Sequence, residues 1–336
     1  MTRIKSFVLL LAVGGLSLVG CQKQSDAIKL AYVTNGIDPF WNNAAAGVKA
    51  AEAEFGVSCE VLMPPKGLVD QMSIVESLLA QGIDGMAISP IDAANQIDFL
   101  NRACEQTAVI THDSDAPGSK RLCFVGMDNY KAGRAAGRLV KEAMPDGGKI
   151  MVFVGRLEQL NAQQRRQGVI DELLDRPVQS LDALKIDPSA QIQTGAKYSV
   201  VDTRTDNFDY SSAKANAEDA INAYPDLGCM VGLFAYNIPN CLEAVKAAGK
   251  VGQIKLVSFD EQEAVLQGIQ EGAIHGTISQ QPYLYGYHSV RILAGLAKGD
   301  PSVLPPDGFL EVDIVEVRKD NVASFWENLK KLQAGE

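Results

Sequence analysis

Residues 28–41 read IKLAYVTNGIDPFW. Ile28–Thr34 is a short apolar, strand-like run. A polar turn follows, and from Phe40 the apolar residues recur at helical spacing: Trp41, Ala45, Val48, Ala51, Phe55. Strand, polar loop and amphipathic helix form a unit that the chain repeats. Ser58–Met63 reads as a strand, Leu68–Gln81 as a helix, Gly85–Ser89 as a strand, Ala93–Glu105 as a helix and Val109–His112 as a strand. Short apolar strands alternating with amphipathic helices predict a parallel sheet with helices on both faces.

The rhythm restarts after residue 130. Helices are predicted over Lys131–Ala143, Asn161–Leu174, Ser211–Ala223, Pro239–Ala248, Glu261–Glu271 and Tyr283–Lys298. Strands are predicted over Lys149–Val154, Tyr198–Thr203, Cys229–Phe234, Lys255–Phe259 and Gly276–Ser279. The fold class is therefore α/β, with two similar doubly wound parallel-sheet domains in tandem. A chain beyond about 250–300 residues also exceeds what one core usually supports.

The first twenty residues stand apart. Arg3 and Lys5 precede the apolar run Ser6–Gly20, as in a secretory signal. The run is shorter than the roughly 20 apolar residues of a spanning helix. The polar stretch Gln22–Asp26 directly after it opposes a buried helix. Leu18-Val19-Gly20-Cys21 resembles the lipobox of bacterial lipoproteins, which implies lipidation at Cys21 and a short tether over 21–27. Two or three acyl chains anchor stably where one does not. The expected location is the periplasm or cell surface, with membrane contact through the lipid alone.

Composition is ordinary for a globular chain, 46% hydrophobic and 21% charged, and the net charge of -10 speaks against nucleic acid. Five cysteines remain after Cys21, with no C-x-x-C spacing. Most sit in apolar runs as small hydrophobes. Cys104–Cys123 is the one pair considered as a disulfide, since export permits one. The three histidines are far apart, and no metal or cofactor is expected.

Ligands of open parallel sheets bind beyond the carboxyl ends of the strands. The segments there are 34–41, 89–92, 112–115, 155–163, 204–209, 236–237, 259–261 and 279–281. They are rich in Asp, Asn, Gln, Thr and aromatics, with neither G-x-G-x-x-G nor G-x-x-x-x-G-K-[ST]. Carboxylates and amides bond neighbouring hydroxyls, and aromatic faces cover the apolar face of a sugar. That chemistry suits a polyol.

Several segments, in order, carry a resemblance to the periplasmic sugar-binding proteins of the ribose- and galactose-binding type. They are Asp38-Pro39-Phe40-Trp41; Ile110-Thr111-His112-Asp113; Val125-Gly126-Met127-Asp128-Asn129 with Gly133 and Gly137; Asn161-Ala162 with Arg165 and Gly168; Tyr224-Pro225-Asp226-Leu227; Asn237; Val257-Ser258-Phe259-Asp260; and Thr277-Ile278-Ser279-Gln280-Gln281-Pro282. The resemblance implies that Phe40 and Trp41 stack on the ring, that Thr34 and Asp38 bond hydroxyls, and that Asp113, Phe208, Asn237, Asp260 and Gln280 are contacts. Ser114 and Gln163 stand where ribose binders often carry arginine, so the ligand is not held as ribose is. Arg165 matches a further family arginine, with a structural role as its alternative. Ile238 departs from the family's Asn-Asp pair. Local alternatives exist: Phe40 and Trp41 as a hydrophobic staple, Asp38 and Asp260 as helix caps.

The family also implies a three-stranded hinge, crossed near 127–128, near 280–281 and near 310. The lobes would be 28–127 with 281–309, and 128–280 with 310–318, leaving 319–336 as a tail or helix. Function is then high-affinity binding of a monosaccharide or similar small polyol by a monomer, delivered to an ABC transporter permease by hinge closure. A sensor module serving a chemoreceptor or kinase is the alternative. An enzyme is disfavoured because no nucleophile–base pair is evident. A transcription-regulator core is disfavoured by the export signal and the missing DNA-binding helices.

Overall fold

The computed structural model describes residues 27–188 and 191–334. The signal segment and Cys21 lie outside those residues. The first sheet is built from β1 (Lys29–Val33), β2 (Ser58–Leu62), β3 (Gly85–Ile88), β4 (Ala108–His112) and β5 (Phe124–Gly126). Between them run α1 (Phe40–Phe55), α2 (Leu68–Ala80) and α3 (Ile97–Cys104). The second begins with α4 (Asn129–Ala143), β6 (Gly148–Val154), α5 (Leu160–Leu173), β7 (Gln193–Thr194) and β8 (Tyr198–Thr205). It continues through α6 (Tyr210–Ala223), β9 (Leu227–Gly232), α7 (Asn237–Ala247), β10 (Lys255–Phe259), α8 (Glu263–Glu271) and β11 (Gly276–Ser279). The chain then returns with α9 (Pro282–Ala297) and β12 (Phe309–Glu311), and finishes with β13 (Val315–Val317) and α10 (Val322–Ala334).

The strand orders are β2-β1-β3-β4-β5-β12 and β7-β8-β6-β9-β10-β11-β13. Setting aside the edges, both sheets place their second parallel strand outside the first and the rest in sequence on the other side. The central strands are covered on both faces, which is why β3 and β11 are buried throughout and read as unbroken apolar or small-residue runs. Among the described residues the antiparallel ladders are those of β7 and β13, at the edges of the second sheet.

The chain passes between the sheets after β5, after β11 and after β12. The third passage falls at 312–314 rather than 310, because Phe309–Glu311 pair with Phe124–Gly126 in the first sheet. The final helix does not stand free as a tail. Val322 and Leu329 join the core of the second lobe with Ile269 and Leu266. The strands β5, β7, β12 and β13, of two or three residues each, have no period to read.

Two helix pairs touch backbone to backbone. A Cβ on Gly133 of α4 would lie 2.1 Å from the Arg165 carbonyl oxygen, and one on Gly168 of α5 would lie 2.2 Å from that of Tyr130. In the first lobe, Gly47 of α1 and Gly286 of α9 play the same part against Tyr283 and Ala44. The five cysteines 59, 104, 123, 229 and 241 are all free, so Cys104 and Cys123 form no bridge. Four of them are buried.

Candidate functional site

The carboxyl ends of the two sheets face each other across a cleft of about 320 Å³. That is at the small end of the roughly 300–1,000 Å³ usual for small-molecule sites, and it suits one sugar-sized ring. Asp113, directly after β4, and Asp260, directly after β10, occupy matching positions in the two lobes. Both adopt left-handed backbone, at φ 58° and 69°. Asn207 (54°) and Phe208 (65°), after β8, and Gln281 (57°), at the second crossing, do so too. Such conformations cost of order 1 kcal/mol or more and gather at functional sites. At Asp113, Asn207, Phe208 and Asp260 they turn side chains into the cleft, whereas Gln281 donates to the Asp313 carbonyl at 2.6 Å.

Asp113 is held by one oxygen. Oδ2 accepts from Ser89 Oγ (2.9 Å), Asn35 Nδ2 (3.2 Å) and Asn161 Nδ2 (3.2 Å), the last from the opposite lobe. Oδ1 faces Arg165 Nη2 at 3.6 Å. Asp260 takes Gln280 Nε2 on Oδ1 at 2.7 Å. Burial pushes the Asp113 carboxyl up, while Arg165 and the Ser89 and Asn161 bonds pull it down. Burial raises Asp260 well above the usual carboxylate range, with Arg165 opposing. A ligand hydroxyl donating to either group would replace the hydration that burial has removed.

Arg165 is 1% exposed and fully engaged. It donates to Asn129 Oδ1 (2.8 Å), the Leu233 carbonyl (2.9 Å) and Gln280 Oε1 (2.9 Å). It ties α4, the end of β9 and the second crossing together. Aromatic walls close the sides. Phe40 and Trp41 meet edge to face at 4.7 Å on one lobe, and Phe208 stacks on Phe234 at 5.6 Å on the other.

Of the residues expected from sequence, Asp38, Phe40, Trp41, Asp113, Phe208, Asp260 and Gln280 line the cleft. Four do not. Thr34 is buried and its hydroxyl donates to the Gly36 carbonyl at 2.8 Å. Ser114 follows the left-handed Asp113, is fully buried, and its amide donates back to the His112 carbonyl at 2.6 Å. Gln163 donates to the Leu157 carbonyl at 2.6 Å. It lies between Asn161 and Arg165, which are four apart on α5 and share its cleft-facing side. Asn237 takes the Phe234 amide (2.9 Å) and donates to Asp206 (3.0 Å), fixing loop shape. Asp38 is a cap as well as a lining residue, since Oδ1 accepts from the Phe40 amide at 2.8 Å. Asp260 caps nothing, and α8 starts later, at Glu263.

Asn35, Arg156, Asn161, Asn207 and Tyr236 line the cleft from the strand-end segments without having been named as contacts, and Lys66, Arg165 and Phe234 line it as well. Asn161 was legible from its position at the head of the fifth helix, and Asn207 from its strand end. Lys66 was not, because its loop carries no polar cluster. His112 is sealed away from this chemistry. It stacks on Tyr32 at 3.9 Å, and burial holds its imidazole down at about 3, hence neutral.

The family described as a periplasmic binding protein domain matches residues 28–301. The chain belongs to the periplasmic binding proteins. Among its curated relatives is the ribose import binding protein of Haemophilus influenzae, 25% identical over 306 residues that cover 89% of this chain and 94% of the relative. The D-ribose/D-allose-binding protein of Pseudomonas aeruginosa is 24% identical over 251 residues, 73% and 72% of the two chains. A solved solute binding protein from Burkholderia graminis, in complex with D-arabinose, shares the fold at TM-score 0.78 and 24% identity, covering 88% of this chain and 97% of that one. These relatives are binding proteins, not enzymes.

In this periplasmic binding protein the lobes touch around the cleft. Tyr210 Oη donates to Asp38 Oδ2 at 2.8 Å and Asn43 Nδ2 to Glu261 Oε1 at 3.2 Å. Gln333 Nε2, near the end of α10, donates to Asn43 Oδ1 at 2.6 Å. Glu261 is buried, and burial pushes its carboxyl up to about 7 against the Ser279 and Asn43 bonds that pull it down. A carboxyl raised on folding favours the folded state while protonated. Its contribution is complete below the unfolded value near 4.3 and is lost as pH rises through about 7. Glu261→Gln is therefore expected to lose less stability than the parent between pH 5 and pH 8. Urea unfolding at both values measures this, and equal losses would remove Glu261 as a contributor.

Proposed function

We propose that this protein binds a monosaccharide or similar small polyol between its lobes and hands it to an ABC transporter permease. The observation that carries the reading is the pair Asp113 and Asp260. Each is presented by a strained turn of its own lobe, between aromatic walls, with one oxygen that accepts no hydrogen bond from the described residues of the protein. A neutral hydroxylated ring offers donors to both and an apolar face to Phe40, Trp41 or Phe208. The names of the relatives, binders of ribose and allose, support the same class.

Binding would favour the closed arrangement because the ligand gains contacts from both lobes only there. The protein would act as a monomer, exported and tethered to the membrane through a lipid on Cys21, with no nucleic acid and no cofactor involved. Thermal-shift screening of the mature chain against monosaccharides and polyols tests the reading. A ligand at 100 times its Kd is expected to add roughly 2.7 kcal/mol of stability. A flat response across pentoses, hexoses and polyols would sink it.

A further inference from the structure

Six acidic or basic side chains line the cleft, three of each sign: Asp38, Asp113 and Asp260 against Lys66, Arg156 and Arg165. Four are partnered inside the protein. Asp38 accepts from Tyr210, Asp113 from Ser89, Asp260 from Gln280, and Arg165 donates to Asn129 and Gln280. Lys66 and Arg156 remain. Among the described residues neither side chain has a hydrogen-bond or ion-pair partner.

The two come from opposite lobes, Lys66 from the loop before α2 and Arg156 from the loop after β6. The Arg156 guanidinium rests over the Phe208 ring, 5.0 Å from its centroid. That ring is held by the left-handed pair Asn207 and Phe208 and by the Phe208 amide on Asp206 Oδ1 at 2.9 Å. On the other side, Arg156 Nη1 lies 3.4 Å from where a Cβ would stand on Gly67, the neighbour of Lys66. Contact between the lobes thus gathers two unpaired cations at one rim of one cavity. An anion held there would meet a positive group from each lobe. Arginine's fork fits a carboxylate or phosphate, and charge-assisted bonds of this kind are the strong ones. Deeper in, Asn161 Oδ1 is buried without a donor and lines the same cleft, an acceptor for a hydroxyl.

Resting on the sugar reading of the cleft, we infer that its ligand is an anionic sugar. Its hydroxyls face Asp113, Asn161 and Asp260, and its single carboxylate or phosphate bridges Lys66 and Arg156 at the rim. Only the closed form offers both cations, so the acidic group couples binding to closure.

Calorimetry with neutral and anionic sugars decides this. The neutral set is D-ribose, D-allose and D-galactose; the anionic set is D-ribonate, D-galacturonate and D-ribose 5-phosphate. At least one anion is expected to bind about tenfold or more tighter than its neutral counterpart, with the advantage shrinking as salt is raised. Whether a carboxylate or a phosphate gains names the group. The double variant Lys66→Ala/Arg156→Ala is expected to erase the advantage, so that it binds anionic sugars and their neutral counterparts within about twofold of each other. If a neutral sugar binds and no anion binds more tightly, the inference falls and the sugar reading stands. An anion advantage that survives in the double variant overturns the assigned residues. If neither set binds, the sugar reading falls and the inference with it.

Discussion

Asp113→Asn is expected to weaken sugar binding by about 100-fold while the protein stays folded. Asparagine tolerates the left-handed backbone at this position, and its carbonyl oxygen can take the place of Oδ2 before Ser89, Asn35 and Asn161. The amide nitrogen then stands where Oδ1 was, a donor turned toward Arg165 and the ligand. A bond to a charged group contributes about 1.5–3 kcal/mol, and 1.4 kcal/mol is tenfold in affinity. Losing one such bond and meeting a donor in its place gives the stated magnitude. Asp260→Asn should act likewise from the other lobe, because closure requires contacts from both. Calorimetry reads the affinity, and circular dichroism confirms the fold. Retention of full affinity by both variants would show that the ligand sits elsewhere in the cleft.

The second large effect concerns stability. Gly133→Ala puts a methyl 2.1 Å from the Arg165 carbonyl oxygen, a backbone atom in the middle of α5 that cannot step aside alone. The helices must part, and overpacking of this kind costs about 1–3 kcal/mol, occasionally more. Gly133→Val should fall beyond that range and fail to accumulate as folded protein. The same displacement moves Arg165 away from Asn129 and Gln280, so the alanine variant is expected to lose ligand affinity along with stability. Gly36→Ala is the control, since a Cβ there meets nothing within 4 Å. Urea unfolding of the three proteins ranks them, and an alanine variant as stable as the parent would refute the close-packing account.

The fold was legible because buried parallel strands and amphipathic helices leave periods long enough to read. The short β5, β7, β12 and β13 left none, and β12 accounts for the displaced third crossing. At the site, Asp113 and Asp260 were recognisable as carboxylates at strand ends, and the aromatic walls likewise. Gln163 stands outside the cleft lining because a resemblance gives a position but not a helix face, and two residues along α5 is about half a turn. Thr34, Ser114 and Asn237 stand outside the lining for another reason. Each is polar and near the cleft, yet its bonds or its burial serve the loops. Which polar group a turn uses for itself depends on backbone torsions, which composition does not encode.

One detail at the chain's end has a practical use. Gln333 reaches from the helix of one lobe to Asn43 of the other, so position 333 senses the gap between them. Four native thiols are poor competitors for labelling, since burial pushes those of Cys59, Cys123, Cys229 and Cys241 upward, and the partly exposed Cys104 is first replaced by serine. If ligand moves the lobes as proposed, a fluorophore attached to a cysteine introduced by Gln333→Cys is expected to be shielded or released, turning the protein into an optical reporter of its own ligand.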